Sequence, residues 1–372
     1  MDNVITQIYG TFGPACKSCE ILEDMIKCGM TGMRLNLSHT TLEKSKEYIE
    51  NYRNAAHSQG VEPQILMDMQ GPELRIGDME EVLLSEGDIV TFRTKATLAD
   101  FKSEKILFSK EEADKKNPGK NEIRTVEEIK TEFCKIFVPE EVMEVIKPEM
   151  EVLLDDGKIR VQIMAVDKNL AAAKVLRGGS LKPHKSIKVV NVNVPMPVLT
   201  EHDLSNIRLA KEYGVTALMQ PFVFSGEDLK QVRKILREEN AEHLQIFAKI
   251  ENRIGLENLE NILPEADLIV IARGDLGNDM PLWELPAVQK RIENTCKKYG
   301  KPYMVVTQML SSMEKNPVPT RAEVSDIFHA VCHGAAAVMV TGETAVGKYP
   351  VEVIKYLSNT TREALLYKND EK

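Results

Sequence analysis

Apolar residues follow two different periods along this chain. Short runs rich in Val, Ile, Leu and Met alternate with longer stretches in which apolar positions recur every three or four residues. The first pattern predicts buried strands, and the second predicts amphipathic helices. The predicted strands are Val4–Tyr9, Gly32–Leu35, Gln64–Met67, Ala217–Gln220, Gln245–Lys249, Leu268–Ala272, Tyr303–Val306 and Ala337–Thr341.

The stretches that follow these strands have helical periodicity. They are Cys19–Cys28, Leu42–Ser58, Glu201–Tyr213, Glu227–Glu238, Leu256–Ile262, Pro286–Tyr299, Ala322–Cys332 and Pro350–Leu366. Thr320 and Glu323 have the spacing of a capping box, which marks the start of a helix. Eight strands alternating with eight helices predict an α/β protein built on a (β/α)8 TIM barrel, with functional side chains at the carboxyl ends of the strands.

One interval departs from the alternation. Between Gly71 and Pro197 the chain has short β-branched runs with turn signals such as Asp155-Asp156-Gly157. This pattern predicts a small antiparallel β-barrel inserted after the third strand, with domain bounds 1–72 and 197–372 for the TIM barrel and 73–196 for the insert. We expect the insert to act as a lid over the catalytic end, with a passive insertion as the alternative.

Composition narrows the class of protein. The 372 residues are 43% hydrophobic and 28% charged, which is typical of a globular protein, and the net charge of −9 disfavours a nucleic-acid partner. The sequence shows neither a membrane span nor a signal-peptide pattern. Among the six cysteines only Cys16 and Cys19 have CxxC spacing, without a second half-site. We therefore expect a cytoplasmic protein with no membrane partner.

Polar side chains collect where the predicted strands end. They are Arg34, Asn36, Ser38, His39, Asp68, Lys249, Glu251, Asp275, Thr307, Gln308, Thr341, Gly342, Glu343 and Thr344. A lysine and two carboxylates at strand ends, Lys249, Glu251 and Asp275, fit the needs of a magnesium ion and a transferring phosphoryl group.

Structural alternatives stay open for three of these groups. Lys249 and Asp275 could form only an ion pair between neighbouring strands. Asn36 and Ser38 could only cap the following turn. The segment Gly342-Glu343-Thr344 could be only a tight turn between a strand and a helix.

Successive motifs of the chain resemble those of the pyruvate kinase family, in the family's order and over nearly the whole chain. They are Arg34-Leu-Asn36-Leu-Ser38-His39, Asp68-Met-Gln-Gly71-Pro72-Glu73-Leu-Arg75, Lys249-Ile-Glu251-Asn252, Ala272-Arg-Gly-Asp275-Leu-Gly277, Thr307-Gln-Met-Leu310, Asn316-Pro-Val-Pro319-Thr320-Arg321-Ala-Glu323 and Gly342-Glu343-Thr344-Ala345. The resemblance implies a glycolytic phosphotransferase that converts phosphoenolpyruvate and ADP into pyruvate and ATP.

The resemblance also implies roles for individual residues. The implied catalytic residues are Lys249, Arg34 and Thr307, and the substrate-binding set adds Gly274 and Asp275. The implied ligands of Mg2+ (or Mn2+) are Glu251 and Asp275. The implied K+ site consists of Asn36, Ser38, Asp68 and the carbonyl of Met69, and Glu73 is the residue found in potassium-dependent members. The implied nucleotide-binding residues are His39, Arg75, Asp156 and Lys185.

The chain departs from the family pattern at several residues near the expected site and at its C-terminal end. Gln70 and Val346 replace lysines, and Pro221 and Phe224 replace a serine and an arginine. The family's further α/β domain has no counterpart before Lys372, so the resemblance does not extend to its effector site or its tetramer, and a homodimer stays open. Two other functions also stay open: a non-catalytic phosphoenolpyruvate-binding paralogue, and a metal-dependent pyruvate-enolate enzyme of the decarboxylase or aldolase type.

Overall fold

A computed structural model of the chain describes residues 6–38, 40–94, 134–192 and 194–370. The chain divides into two compact units. One consists of Met1–Pro72 together with Pro197–Lys372, and the other consists of Glu73–Met196. Among the described residues, no helix is both long and apolar enough to cross a bilayer.

The strands of the described residues are β1 (Gln7–Thr11), β2 (Gly32–Asn36), β3 (Gln64–Asp68), β4 (Val82–Leu84), β5 (Ile89–Arg93), β6 (Cys134–Phe137), β7 (Glu151–Leu154), β8 (Ile159–Asp167), β9 (Leu170–Arg177), β10 (Gly179–Leu181), β11 (Ile187–Val189), β12 (Ala217–Gln220), β13 (Gln245–Ile250), β14 (Leu268–Ala272), β15 (Tyr303–Val306) and β16 (Ala337–Met339).

The α-helices of the described residues are α1 (Cys19–Lys27), α2 (Lys46–Ser58), α3 (Glu140–Val145), α4 (Glu201–Leu209), α5 (Gly226–Glu238), α6 (Arg253–Glu257), α7 (Leu259–Ile262), α8 (Arg273–Asp279), α9 (Leu285–Lys298), α10 (Arg321–Cys332), α11 (Gly342–Ala345) and α12 (Pro350–Asp370). Short 3₁₀ turns cover Pro14–Cys16 and Ser311–Glu314.

Eight parallel strands close the barrel in the order β1, β2, β3, β12, β13, β14, β15 and β16, with β16 paired back to β1. This confirms the predicted fold class. The third and fourth barrel strands are direct neighbours, since Ala217 of β12 pairs with Leu66 of β3. The pairing skips the whole segment Glu73–Met196, so this segment is an insertion into the barrel sequence.

The strand period of two separates the inside of the barrel from the helix layer. On β13, Ile246, Ala248 and Ile250 belong to the large core cluster between strands and helices, whereas Phe247 belongs to the cluster that fills the barrel. Because side chains alternate along a strand, Lys249 continues the inward-facing row. The same alternation places Asp68 in line with the inward Leu66 on β3.

The helices largely follow the predicted positions, and two differences stand out. The predicted helix Leu256–Ile262 is two short helices, α6 and α7, that meet at Asn258. The helix α8 (Arg273–Asp279) was not predicted, because its seven residues contain two glycines and no helical apolar period. The predicted capping box is confirmed: Thr320 Oγ1 accepts from the Glu323 amide at 3.2 Å, and Glu323 Oε2 accepts from the Thr320 amide at 2.8 Å.

The inserted unit has its own hydrophobic core, built from residues such as Val90, Phe92, Val152 and Val161. Its described strands form a six-stranded sheet in the order β11, β7, β8, β9, β5, β6 and a two-stranded sheet of β4 and β10. All these pairs are antiparallel except β5 with β6. In the described residues, the expected small antiparallel β-barrel is therefore two sheets, all of whose strand pairs are antiparallel except β5 with β6.

Candidate active site

Charged side chains meet at the carboxyl ends of β2, β3 and β13. Lys249 Nζ lies 2.6 Å from Glu251 Oε1 and 3.5 Å from Asp68 Oδ1. Asp68 Oδ2 in turn accepts a hydrogen bond from Arg34 Nε at 2.8 Å and a second one from Arg34 Nη2. The ion pairs of Lys249 are thus with Glu251 and Asp68, and the alternative of a simple Lys249–Asp275 pair does not describe this arrangement.

The charges of this network are buried. The exposed fractions of the Glu251, Asp68 and Lys249 side chains are 3%, 5% and 15%. Burial opposes the charge on the Lys249 ammonium, but attraction from Asp68, Glu251 and Asp275 outweighs burial and raises its pKa. Burial also opposes ionisation of Asp68, but Lys249 and Arg34 outweigh it and lower the pKa of that carboxyl. Both groups are therefore charged at neutral pH.

Glu251 behaves differently from Asp68. Burial raises the pKa of Glu251 to about 7, with Lys249 partly offsetting the effect and the negative charge of Asp275 adding to it. Asp275 itself is exposed, in the first turn of α8. The negative charge of Asp275 thus acts in the same direction as burial, and a cation near both carboxylates would oppose the two effects.

A divalent ion fits this pair of carboxylates. Magnesium commonly takes one or two protein carboxylates and completes its six oxygen ligands with water and substrate. In the described part of the chain, no group of three His, Cys, Asp or Glu side chains could hold a metal ion by itself. Glu251 and Asp275 would therefore be the protein ligands of an ion that is shared with a substrate.

The loop after β15 carries backbone strain beside α8. Thr307 and Gln308 have positive φ values of 69° and 52°, a region that is costly for residues other than glycine. Arg273 stabilises the strained turn, because its Nη2 donates to the Thr307 carbonyl at 2.7 Å while its Nη1 contacts Asp326 Oδ2 at 2.6 Å. Thr307 Oγ1 accepts from the Gly274 amide at 2.8 Å. Sequence reasoning missed Arg273, although it lies within a quoted motif.

The residues expected at a K+ site also lie on neighbouring strand ends. Asn36 on β2 lies opposite Asp68 on β3 in the strand pairing. Asn36 Oδ1 accepts a hydrogen bond from the Ser38 amide at 3.3 Å, so this oxygen does cap the turn that follows β2. Asp68 Oδ1 is buried and faces Lys249 Nζ at 3.5 Å, which is too long for a strong hydrogen bond. This carboxylate oxygen therefore has capacity left for a cation. Met69 is buried and donates its amide to the Met219 carbonyl at 3.2 Å.

Three of the expected nucleotide-binding residues cluster in the inserted unit. The backbones of Arg75 and Ser186 pair in an isolated antiparallel β-bridge. The Ser186 hydroxyl donates a hydrogen bond to Asp156 Oδ1 at 2.8 Å, and Lys185 precedes Ser186 in the chain. Arg75 Nη2 also donates to Glu73 Oε2 at 2.6 Å. His39 lies outside the described residues.

The sequence did not single out Asp155, which is the buried partner of this cluster. Its Oδ1 lies 2.9 Å from Lys185 Nζ, and its Oδ2 lies 3.0 Å from Lys158 Nζ. Although burial opposes its ionisation, hydrogen bonds from the two lysines lower the pKa of Asp155.

The motif after β16 has a structural role. Glu343 is buried, and its Oε2 accepts from the Thr341 amide at 2.7 Å while its Oε1 accepts from the Leu310 amide at 3.2 Å. Thr344 Oγ1 accepts from the Thr11 amide at 2.8 Å. These bonds tie together the loops around β15, β16 and β1. Val346, which replaces a family lysine, is 66% exposed.

Comparison with known proteins identifies the family. Residues 4–354 match the model of the pyruvate kinase barrel domain. Pyruvate kinase of Geobacillus stearothermophilus is 37% identical over 354 residues, which are 94% of this chain and 55% of the relative. For pyruvate kinase of Bacillus licheniformis the identity is 35% over 370 residues, 98% of this chain and 58% of the relative.

A third relative is covered more fully. Pyruvate kinase of Chlamydia muridarum is 33% identical over 359 residues, which are 96% of this chain and 68% of the relative. The chain spans a little over half the length of the Geobacillus and Bacillus relatives. The match over nearly the whole chain shows that this chain belongs to the pyruvate kinase family.

Proposed function

We propose that the chain transfers the phosphoryl group of phosphoenolpyruvate to ADP, giving pyruvate and ATP. The observation that carries this proposal is the buried Lys249, held between Glu251 and Asp68 at the carboxyl end of the barrel. Arg34 and Asp275 complete a set of charges that suits an anionic substrate and a divalent ion. Membership of the pyruvate kinase family supports the same reaction.

Lys249 and Arg34 would neutralise the phosphoryl group during transfer. The raised pKa of Lys249 keeps its ammonium charged, so it offers a fixed positive charge to the phosphoryl and enolate oxygens. Fixed charges of this kind act without reorganisation, which is the main source of catalysis in phosphoryl transfer. Asp68 holds Arg34 in place through its Nε hydrogen bond.

Glu251 and Asp275 would hold Mg2+ (or Mn2+). When bound, the ion would supply positive charge to the carboxylate, enolate and phosphoryl oxygens of the substrate. Burial is the main cause of the raised pKa of Glu251, and the negative charge of Asp275 adds to it. A cation near both carboxylates would offset these effects, which supports the assignment.

Thr307 would act through water. Its hydroxyl already accepts from the Gly274 amide and donates to the Val306 carbonyl at 2.6 Å. A threonine hydroxyl is also a poor acid. We therefore propose that Thr307 and Gly274 position the substrate and an ordered water that protonates the enolate carbon, rather than supplying the proton from the threonine.

The remaining assignments complete the proposal. Asn36, Ser38, Asp68 and the Met69 carbonyl would hold K+, with Glu73 marking the potassium-dependent type. Arg75, Asp156 and Lys185, together with His39, would contact the nucleotide, with the inserted unit acting as a lid. The six free cysteines support a reducing, cytoplasmic compartment.

A coupled assay of pyruvate release tests the proposal on the purified chain with Mg2+, K+ and several nucleoside diphosphates. We expect turnover that requires both phosphoenolpyruvate and a diphosphate. Thermal stabilisation by phosphoenolpyruvate without turnover would instead support the non-catalytic paralogue. Metal-dependent conversion of oxaloacetate or pyruvate, with no effect of ADP, would support the enolate enzyme.

A further inference from the structure

The carboxylate of Glu251 is oriented by a backbone amide of the loop after β12. Its Oε2 accepts a hydrogen bond from the Phe222 amide at 2.8 Å, while its Oε1 contacts Lys249. Pro221 and Phe224 of the same loop have side chains without a hydrogen-bond donor. The loop therefore reaches Glu251 through its main chain.

The residue whose amide faces Glu251 lies at a bend of the chain. The φ of Phe222 is +53°, in the left-handed region that bulky residues rarely adopt. The next residue, Val223, is fully buried in the core cluster between strands and helices. Consecutive residues therefore have different roles: the Phe222 amide donates to Glu251, and the Val223 side chain packs in the core.

Neighbouring segments hold this turn in place. A Cβ on Gly71, whose φ is +63°, would lie 2.5 Å from Pro221 Cγ, so the two loops touch at a position where only glycine fits. On the Gly71 side of this contact, Asp203 Oδ2 accepts a hydrogen bond from the Gly71 amide at 3.1 Å. Gln220 Nε2 donates to the Val198 carbonyl at 2.8 Å and anchors the other side.

We propose that Phe222, with its left-handed backbone conformation, is a positioning residue for the site of the divalent ion. Its amide sets the orientation of the Glu251 carboxylate. This inference rests on the proposed function, in which Glu251 is a ligand of the ion. Hydrogen bonds to a ligating carboxylate commonly change metal affinity by about 10- to 100-fold.

A matched pair of substitutions separates the backbone from the aromatic ring. Phe222→Gly and Phe222→Val both remove the ring and its packing. Glycine tolerates a positive φ, whereas a β-branched valine opposes it and should turn the amide away from Glu251. The readout is the Kd of Mn2+ for the full chain, measured without substrate by electron paramagnetic resonance titration.

We expect Phe222→Val to weaken Mn2+ binding about tenfold and Phe222→Gly to stay within about twofold of the unmodified chain. Circular dichroism melting checks that both variants fold, and Phe222→Ala replaces Phe222→Val if the latter does not. Equal Mn2+ affinities for folded Val (or Ala) and Gly variants would overturn the inference. Failure of the unmodified chain to bind Mn2+ would instead overturn the metal role of Glu251 itself, and the inference with it.

Discussion

Glu251 and Glu343 are both buried glutamates in family motifs at the ends of barrel strands, yet their surroundings differ. The described partners of Glu343 are neutral: the amides of Thr341 and Leu310 and the hydroxyl of Thr341. Glu251 instead shares its surroundings with a lysine and, at longer range, with Asp275. Glu343 satisfies donors that belong to loops, whereas Glu251 belongs to a cluster of charges.

The difference shows that burial and motif membership do not define a functional carboxylate. The cluster around Glu251 contains three carboxylates, those of Glu251, Asp68 and Asp275, and two cations, Lys249 and Arg34. It therefore has a formal excess of negative charge, which suits an added cation. The comparison can be tested by changing each part of it in turn.

Lys249→Met should have the largest effect on catalysis. The substitution removes the cation that faces the transferring group and should lower pyruvate-forming turnover by about 10³-fold. Lys230→Met, at a lysine whose side chain is 58% exposed on α5, is the matched control and should leave turnover unchanged. If Lys249→Met kept turnover within about tenfold of the unmodified chain, the charged cluster would not be the catalytic centre.

Replacing each glutamate by glutamine should separate metal binding from stability. Glu251→Gln should weaken Mn2+ binding about a hundredfold, because it removes a charged ligand, with little loss of stability in the metal-free chain. Mn2+ titration and urea unfolding on the same samples measure both quantities.

Glu343→Gln is the counterpart and should show the reverse. A glutamine amide offers only one acceptor oxygen to the Thr341 and Leu310 amides, so one buried donor loses its partner at a cost of about 2 kcal/mol in unfolding free energy. Its Mn2+ affinity should stay within about twofold. Equal behaviour of the two variants would remove the distinction between the sites.

The pH dependence should give the smallest effect. Because the pKa of Glu251 is raised to about 7, protons compete with a cation for this carboxylate below that pH. Mn2+ affinity should therefore rise with pH, by at most about tenfold per unit, and level off above about pH 7. Titrations between about pH 5.5 and 8.5 measure the profile, and Glu251→Gln should flatten it.

The same shift has the opposite sign for stability. The folded metal-free chain keeps a proton on Glu251 where the unfolded chain has released it, so this group's contribution is present at low pH and is lost as pH rises through about 7. The difference in unfolding free energy, Glu251→Gln minus the unmodified chain, should therefore be more positive at pH 8 than at pH 5. A gain independent of pH would contradict the assigned shift.

Much of the barrel could be predicted from sequence because its strands are continuous apolar runs. β12, β14 and β15 have the predicted bounds, since buried parallel strands present apolar side chains on both faces and end abruptly at polar residues. The Thr320 capping box was predicted for the same local reason, since its hydrogen bonds join residues three apart.

The features that could not be predicted from the sequence depend on contacts between residues far apart in the chain. No local pattern indicates that the Phe222 amide faces Glu251, or that Arg273 holds the Thr307 carbonyl, because these pairs come together only through the closed barrel. The pairing of Asp68 with Lys249 is equally non-local. Sequence motifs named most of the residues at the candidate site, but they did not indicate which residue neutralises which.

The direct pairing of β3 with β12 has a consequence for how the barrel tolerates change. Forming Leu66–Ala217 contacts closes a chain loop that contains the whole inserted unit. The entropic cost of closing a loop grows only with the logarithm of its length, by about 0.6 kcal/mol for each doubling. Segments much longer or shorter than Glu73–Met196 can therefore be carried at this junction at little thermodynamic cost to the barrel, which leaves the insert free to diverge in size.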